Sequence, residues 1–273
     1  MLSKRGDSMI SDLHVHTLFS CDSKTTMALY CEEAILQGVK CICFTDHVDY
    51  NKNDYGYGFY KPQAYFDEFR RAQYEYSDRI TLLSGIEFSE PHIYLKEFED
   101  LSKLPYDFVL GSIHYWIDDL FVSQMEAKGI NLEEAFEKYW EEVYKAVSLG
   151  GFDSLAHMDF PKRYYKNSLW DENKINDIFK VMVKNNISLE INTSSLRKGL
   201  SETMPSKELL YIYEKAGGKN VTIGSDSHST NELAKGYVQA IEMLTPTMVN
   251  GFYKNRRFIA FSEDTFKYNF TKA

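Results

Sequence analysis

Short apolar runs alternate with amphipathic stretches along almost the whole chain. Several runs are nearly continuous in apolar residues, which is typical of parallel strands buried on both faces. They predict strands at Met9–His16, Lys40–His47, Ile80–Phe88, Asp107–Tyr115, Phe152–Phe160, Ile187–Thr193 and Asn220–His228.

The stretches between the predicted strands carry helix signals at their ends. The helix predicted at Thr26–Gln37 is followed by Gly38, a common C-cap residue, and the one at Pro62–Ser77 starts with proline. Seven successive β-then-α units predict an α/β fold, either a parallel barrel or a doubly wound sheet. Helices are also predicted at Leu132–Leu149, Asp171–Asn185, Pro205–Ala216 and Asn231–Leu244, and Arg257–Phe270 is either a last strand or a strap over the barrel.

The length of the chain indicates one large domain. It has 273 residues, and a single α/β barrel takes about 250. We therefore expect one domain over residues 9–273, preceded by an N-terminal extension of residues 1–8. Apolar residues make up 44% and charged residues 26% of the chain, which argues against a disordered, collagen-like or coiled-coil protein.

The charge of the chain narrows the class of partner. A net charge of −9 repels phosphate backbones, so a protein that binds nucleic acid by bulk electrostatics is disfavoured.

No apolar run is long enough to predict a transmembrane helix, and no signal-peptide core is found, so we expect a cytoplasmic protein. The four cysteines, Cys21, Cys31, Cys41 and Cys43, form no CxxC pair and are interpreted as reduced thiols.

Histidines concentrate at one end of the predicted strands. Six of the seven lie at the C-terminal end of a predicted strand, where βα barrels have their active sites. A single such residue would more often be a hydrogen-bonded core or rim histidine, but six from five strands indicate a shared site. The six are His14, His16, His47, His114, His157 and His228.

Carboxylates accompany these histidines. His14 and His16 lie two residues apart, so their side chains should point to the same face of the strand. Imidazole with carboxylate is the ligand set of hydrolytic Zn, Mn or Fe sites, so the combination predicts a metal centre. The spacing of two recurs in His157 with Asp159 and in Asp226 with His228, and Glu87 closes the third predicted strand.

Six motifs connect these residues in chain order: DLHVHTLFSCD at Asp12–Asp22, FTDH at Phe44–His47, GIEF at Gly85–Phe88, GSIHY at Gly111–Tyr115, LAHMD at Leu155–Asp159 and GSDSH at Gly224–His228. Together they resemble the PHP (polymerase and histidinol phosphatase) family of metal-dependent phosphoesterases, over nearly the whole chain. The resemblance implies a distorted (βα)7, TIM-like barrel with a trinuclear metal site at the strand C-termini.

The resemblance also implies three groups of metal ligands, for two to three divalent ions of Zn, Fe or Mn. Glu87 would bridge two of the ions, and Asp22 would stand where some relatives carry a histidine. The ligands would be His14, His16, Glu87 and Asp226 for the first ion, Glu87, His114 and His157 for the second, and Asp22, His47 and His228 for the third.

Further residues are candidates for binding and protonating a phosphate ester. Arg163 and Arg197 lie on loops at the catalytic end and are expected to contact phosphate, with surface ion pairs as the alternative. Asp159 is a candidate general acid, although a metal-bound water could serve equally well. His92 could contact substrate or the third metal, or be a rim histidine. Asp46, on the opposite strand face from His47, is expected to orient a ligand histidine.

Within the family, the chain most resembles the histidinol-phosphate phosphatases, in GIEFSEPH, HMDFPKR and EINTSSLRKG. The resemblance implies hydrolysis of L-histidinol phosphate, a small phosphorylated metabolite, by metal-activated hydroxide. A PHP phosphoesterase that acts on nucleotides or oligonucleotide ends is the alternative. Amidohydrolase chemistry is disfavoured because the fourth predicted strand lacks a metal-bridging lysine, and a metal-dependent scaffold is disfavoured because all expected ligand positions are occupied. The sequence leaves the oligomeric state open.

Overall fold

The apolar runs form strands that pair side by side in chain order. The computed structural model describes residues 9–117, 120–262 and 265. Its strands are β1 Ser11–Val15, β2 Cys41–Val48, β3 Thr81–Ser89, β4 Phe108–Ser112, β5 Tyr115–Ile117, β6 Leu120–Phe121, β7 Ser154–Leu155, β8 Ser188–Asn192, β9 Asn220–Gly224, β10 Val249–Lys254 and β11 Arg257–Ala260.

Parallel pairing closes the main sheet into a barrel. Its strand order is β1-β2-β3-β4-β7-β8-β9-β10-β11, and the pairs from β1 to β9 are all parallel. The N–H of His16 donates to the carbonyl of Ser227 (2.8 Å), and Val15 bridges Ser227 in parallel. Closure therefore joins β1 to the segment after β9, which brings the C-terminal ends of seven parallel strands around one opening.

The helices begin and end where local capping chemistry dictates. Side chains of Thr26, Asn131, Asp171 and Ser206 accept hydrogen bonds from first-turn N–H groups, and Gly38 ends the first helix in a left-handed conformation. The helices are α1 Met27–Gln37, α2 Pro62–Tyr76, α3 Leu95–Ser102, α4 Val122–Ala127, α5 Leu132–Leu149, α6 Lys162–Tyr165, α7 Glu172–Lys184, α8 Ser194–Arg197, α9 Lys207–Lys215 and α10 Tyr237–Met243, with a 3-10 turn at Thr230–Glu232.

Alternation along the strands separates two apolar layers. In β2, Cys41 and Cys43 point into the barrel, whereas Ile42 and Phe44 pack outward against the helices. His47 lies on the same inward face of β2. This face therefore forms part of the inner core at one end of the strand and carries a polar side chain at the opening. The inner core consists of Leu13, Cys41, Cys43, Leu83, Phe108, Leu110, Ala156, Phe252 and Tyr253.

The antiparallel β10–β11 hairpin closes the end of the barrel that lies opposite the opening. Phe252 and Tyr253 of β10 complete the inner core. The hydroxyl of Tyr253 donates to the carbonyl of Asp153 (2.9 Å), and Nε of Arg256 donates to the Asp153 carboxylate (2.5 Å). The segment predicted at Arg257–Phe270 thus begins with a last strand, while most of its remainder lies outside the described residues.

Replacing Phe252 by alanine is expected to lower the free energy of unfolding by about 3–5 kcal/mol, because the large buried ring leaves a cavity in the inner core. Urea unfolding measures this change. Ile259, which faces Phe252 in register but is 39% exposed, is the matched control, and Ile259→Ala should cost about 0.5 kcal/mol or less. Equal losses in the two variants would contradict the assignment of Phe252 to the core.

The structure departs from the predicted elements mainly between β3 and β8. The fifth predicted strand shrinks to the two residues of β7, and α3 and most of the β5–β6 hairpin lie where no helix or strand was predicted. Residues 1–8 of the predicted extension lie outside the described residues, so the domain boundaries stay a prediction. Within the described part of the chain, no helix combines the length and apolarity that a membrane span requires. The four cysteines are free.

Candidate metal centre

A buried carboxylate, Glu87, lies at the centre of the histidine cluster in the barrel opening. Its Oε1 is 2.7 Å from Nε2 of His157 and 3.5 Å from Nε2 of His114. β3 positions Glu87, and His114 and His157 follow the ends of β4 and β7 by two residues. Nitrogen and oxygen atoms of these three side chains are close enough together to share one cation.

The second oxygen of Glu87 faces another group of ligands. Oε2 is 3.2 Å from Nε2 of His14 and 3.5 Å from Nε2 of His16. Oδ1 of Asp226 lies 3.4 Å from the same His16 nitrogen, and His14, His16 and Asp226 form a second possible cation site. A bulge in β1 between Asp12 and Val15 lets Leu13 reach the inner core while both histidines face the opening. Glu87 therefore lies between two ligand groups.

His47 extends the cluster toward the solvent. Its Nδ1 is 3.0 Å from Oε2 of Glu87, and its Nε2 is 3.6 Å from Oδ2 of Asp22. The same Asp22 oxygen is 3.0 Å from Nε2 of His228. This is the arrangement that the resemblance implied for a third ion. His47 also lies close to Asp49 and His114, a combination that the sequence reasoning did not assign.

Opposite charges keep the carboxylates of Glu87 and Asp226 ionised, and neighbouring carboxylates raise the pKa values of His14 and His47 despite their burial. Burial alone would raise the pKa of Glu87, but His14 and His47 outweigh it and hold this pKa well below its usual value. Asp226 likewise has a strongly lowered pKa, with Arg163 as the largest favourable neighbour. Burial and the neighbouring His47 and His228 lower the pKa of His16, which keeps its imidazole neutral.

In the described part of the chain, two ring nitrogens that face Glu87 lack hydrogen bonds. They are Nε2 of His16 and Nδ1 of His47, and both are buried. Each lies within 3.5 Å of a Glu87 oxygen, so the contacts are close but lack hydrogen-bond geometry. Imidazole nitrogens that converge with carboxylate oxygens are the ligand set of a divalent cation, so the residues fit the group that the sequence predicted.

Asp46 supports the cluster through an intermediate serine. Its carboxylate accepts hydrogen bonds from Oγ of Ser20 (2.8 Å) and from the N–H of Thr17 (2.6 Å). Ser20 in turn lies 3.1 Å from Nδ1 of His16 and accepts from the N–H of His47 (2.9 Å). Asp46 therefore bears on the ligand histidines indirectly, because it points outward from β2 toward the loop that follows β1.

Two arginines flank the cluster on one side. Nη2 of Arg163 donates to Oδ2 of Asp226 (2.7 Å) and to Oγ of Ser194 (2.5 Å). Nη2 of Arg197 donates to the carbonyl of Asp226 (3.1 Å). Nε of Arg163 and Nη1 of Arg197 are buried and have no hydrogen-bond partner among the described residues. Both arginines line one side of the opening, so they place positive charge where an anion beside the cluster would lie.

A cavity of about 560 Å³ lies over the cluster and the arginines. This volume is within the range of pockets that take small molecules. One wall is cationic, and the other carries acidic and aromatic side chains from the loop after β2 and from the β5–β6 region. Lining residues include Asp22, His47, Asp49, Asp54, Tyr55, His114, Tyr115, Phe121, His157, Phe160, Arg163, Arg197, Lys198, Asp226 and His228.

Two predicted site residues do not reach this cavity. Asp159 is fully buried against Nζ of Lys162 (2.8 Å) and Oγ of Ser168 (3.1 Å), and burial raises its pKa to about 7. The expected alternation fails because β7 ends at Leu155 and the chain turns through a positive φ at His157 and Asp159. The prediction that Asp159 is the general acid is therefore not supported.

His92 is also placed away from the cluster. Its Nε2 lies 2.7 Å from Oε2 of Glu142 on α5, outside the cavity lining. His92 therefore corresponds to the rim alternative, because the loop after β3 leads it toward the outer helices. Its expected contact with substrate has no support in this geometry.

The PHP domain family model matches residues 12–194. The chain belongs to the PHP family. A "Probable histidinol-phosphatase" of Clostridium acetobutylicum is 30% identical over 268 residues, which cover 93% of this chain and 100% of the relative. The "Histidinol-phosphatase" of Lactococcus lactis is 31% identical over 228 residues, which cover 80% and 83%.

A solved structure shares the fold of this chain. The histidinol phosphate phosphatase of Lactococcus lactis, complexed with zinc, L-histidinol and phosphate, superposes with a TM-score of 0.74 at 24% identity. The match covers 92% of this chain and 99% of that one. It confirms the predicted distorted TIM-like barrel.

Two residues of this PHP domain escaped the sequence reasoning. Asp49 was not assigned a role, although it directly follows β2 close to His47 and accepts a hydrogen bond from Oγ of Ser89 (2.7 Å). Glu190 lies in the predicted sixth strand and contacts His14. A signal existed for both, since each is a carboxylate at or near the C-terminal end of a barrel strand.

Proposed function

We propose that this protein is a metal-dependent phosphomonoesterase that hydrolyses L-histidinol phosphate to L-histidinol and phosphate. The observation that supports it best is the position of Arg163 and Arg197, which line the cavity beside the cluster around Glu87 and contact Asp226. That arrangement supports a phosphate monoester as substrate class. The names of the relatives in Clostridium and Lactococcus support the specific substrate.

The ligand groups would hold two or three divalent ions of Zn, Fe or Mn. Divalent cations there would supply a water nucleophile of lowered pKa and neutralise charge on the phosphoryl oxygens. Glu87 would serve two ions with its two oxygens, as its contacts to both groups allow. The ligands in this proposal are His14, His16, Asp226, His114 and His157 around Glu87, with Asp22, His47 and His228 for the third ion.

The remaining side chains would bind and orient the substrate. The guanidinium groups of Arg163 and Arg197 would hold the phosphate, and the ring of Phe160, 4.9 Å from the Arg163 guanidinium, limits the movement of that side chain. On the opposite wall, Oδ2 of Asp54 accepts from the hydroxyl of Tyr115 (2.7 Å). This wall offers acceptor oxygens to the nitrogen-bearing end of a histidinol-like substrate.

Phosphate release from L-histidinol phosphate tests this proposal, with metal content determined on the same sample. We expect rapid turnover by metal-loaded protein, loss of turnover after treatment with a chelator, and recovery when Zn, Mn or Fe is restored. A nucleoside monophosphate and a generic aryl phosphate are the comparison substrates. Faster turnover of the nucleotide would favour the alternative substrate class and contradict the proposal. A cytoplasmic location stays a prediction.

A further inference from the structure

Glu190 is a buried carboxylate beneath the cluster that none of the predicted ligand groups includes. Its side chain is 1% exposed. Nδ1 of His14 donates to its Oε1 at 2.6 Å, and the N–H of His157 donates to its Oε2 at 2.7 Å. Nδ2 of Asn192 adds a donor to Oε2 at 3.1 Å. Both oxygens of Glu190 therefore accept a hydrogen bond from a histidine of the cluster.

The two histidines that Glu190 contacts belong to different ligand groups. His14 belongs with His16 and Asp226, whereas His157 belongs with Glu87 and His114. The bond to Nδ1 of His14 fixes the tautomer that leaves Nε2 free to face Glu87. The bond to the N–H of His157 holds a residue with a φ of 25°, a conformation that L residues rarely adopt.

The neighbouring strand makes room for this contact. A Cβ on Gly224 of β9 would lie 2.3 Å from Cβ of His14 and 2.4 Å from Oε1 of Glu190. Any larger residue at position 224 would therefore push the carboxylate and the imidazole apart. Glycine at this position permits the close approach of three strands at the level of the cluster.

We propose that Glu190 is a positioning residue that couples the two ligand groups on either side of Glu87. It orients the imidazole of His14 and the backbone of His157 through one rigid carboxylate, so that both groups reach their binding geometry together. This inference rests on the proposed metal centre. Partners that orient metal-bound histidines typically contribute a factor of about 10–100 to metal affinity.

The variant Glu190→Gln tests the coupling with little change in volume. A glutamine offers one oxygen and one NH2 group, so it cannot accept from both His14 and His157. We expect the affinity for Zn to fall by about 10–100-fold at both ligand groups together, measured by competition with a chromophoric chelator on folded protein. Loss at one group with the other unchanged would contradict the coupling, and so would wild-type affinity at both.

Two further variants separate positioning from folding. Gly224→Ala leaves the chemical identity of every cluster residue unchanged. It should still reproduce the loss of Zn affinity, because the added methyl group displaces Glu190 and His14. Asp153→Asn removes a buried carboxylate at the opposite end of the barrel, where it accepts from Arg256 and from the N–H of Val109. It should lower the melting temperature and leave Zn affinity unchanged.

The outcomes distinguish this inference from the proposed function. Wild-type protein that binds no divalent metal would overturn the metal centre itself. Metal binding and turnover in the wild type, with unchanged affinity in Glu190→Gln and Gly224→Ala, would overturn only the role of Glu190. If Glu190→Gln does not fold, the same titration on Gly224→Ala decides, and wild-type affinity in that variant contradicts the proposal.

Discussion

Replacing Glu87 by glutamine is expected to reduce kcat/KM for L-histidinol phosphate by more than about 10³-fold, beyond the range of residues that only orient ligands. Glu87 faces five histidine side chains with its two oxygens, so the substitution affects both sides of the cluster at once. Zn content measured by atomic emission should fall with activity, because the amide is a weaker ligand and carries no charge.

Glu142→Gln is the matched control for this change. Glu142 also faces an imidazole at 2.7 Å, that of His92, but the pair lies outside the cavity. The variant should retain wild-type kinetics and metal content. If Glu87→Gln kept its Zn and its turnover, Glu87 would not be the shared ligand, and the arrangement of the two groups would have to be reassigned.

The parallel strands and the histidine cluster could be predicted from local periodicity, whereas the choice of a barrel over a doubly wound sheet came from the resemblance to the PHP family. Each strand-end residue reaches the opening because parallel strands of one barrel end at the same level. His47 and Glu87 illustrate this, since they are paired in register between β2 and β3. The structure brings the predicted ligands together, and their binding of metal stays a proposal.

Asp159 and Glu190 show where reasoning from periodicity stops. Asp159 was assigned by extending strand alternation past Leu155, where the backbone already turns through positive φ. Glu190 was overlooked because its role depends on partners from β1 and β7, far away in sequence. Periodicity shows the face to which a side chain points while the strand lasts, but partner choice is decided by closure of the barrel.

Arg163 and Arg197 lie between the ligand carboxylate Asp226 and the proposed position of the substrate phosphate. Arg163 neutralises Asp226 through a 2.7 Å ion pair, and its side chain stacks over Phe160. Among the described residues, the polar contacts of Arg197 are with the carbonyl of Asp226 and, at 3.5 Å, with the carboxylate of Glu232. Removing Arg163 should therefore affect both a ligand carboxylate and the phosphate, whereas removing Arg197 should affect the phosphate alone.

Arg163→Ala is expected to lower kcat/KM by about 10²-fold or more, because charge-assisted hydrogen bonds contribute about 1.5–3 kcal/mol each. Arg197→Ala should cost about tenfold or more for one such bond. In both variants inorganic phosphate should become a weaker competitive inhibitor. Compared with Arg163→Ala, Arg163→Lys should have the metal content of the wild type but only part of its activity. The lysine ammonium keeps the positive charge beside Asp226 but lacks the planar fork of the guanidinium.

Arg79 provides the control for the loss of an arginine that stacks on an aromatic ring. Its guanidinium lies 5.1 Å from the ring of Tyr76 just beyond the C-terminal end of α2, away from the cavity. Arg79→Ala should leave kcat/KM and phosphate inhibition unchanged. If Arg163→Ala and Arg197→Ala retained wild-type inhibition by phosphate, these two arginines would not form the anion site. The cationic wall of the cavity would then have to bind a different ligand.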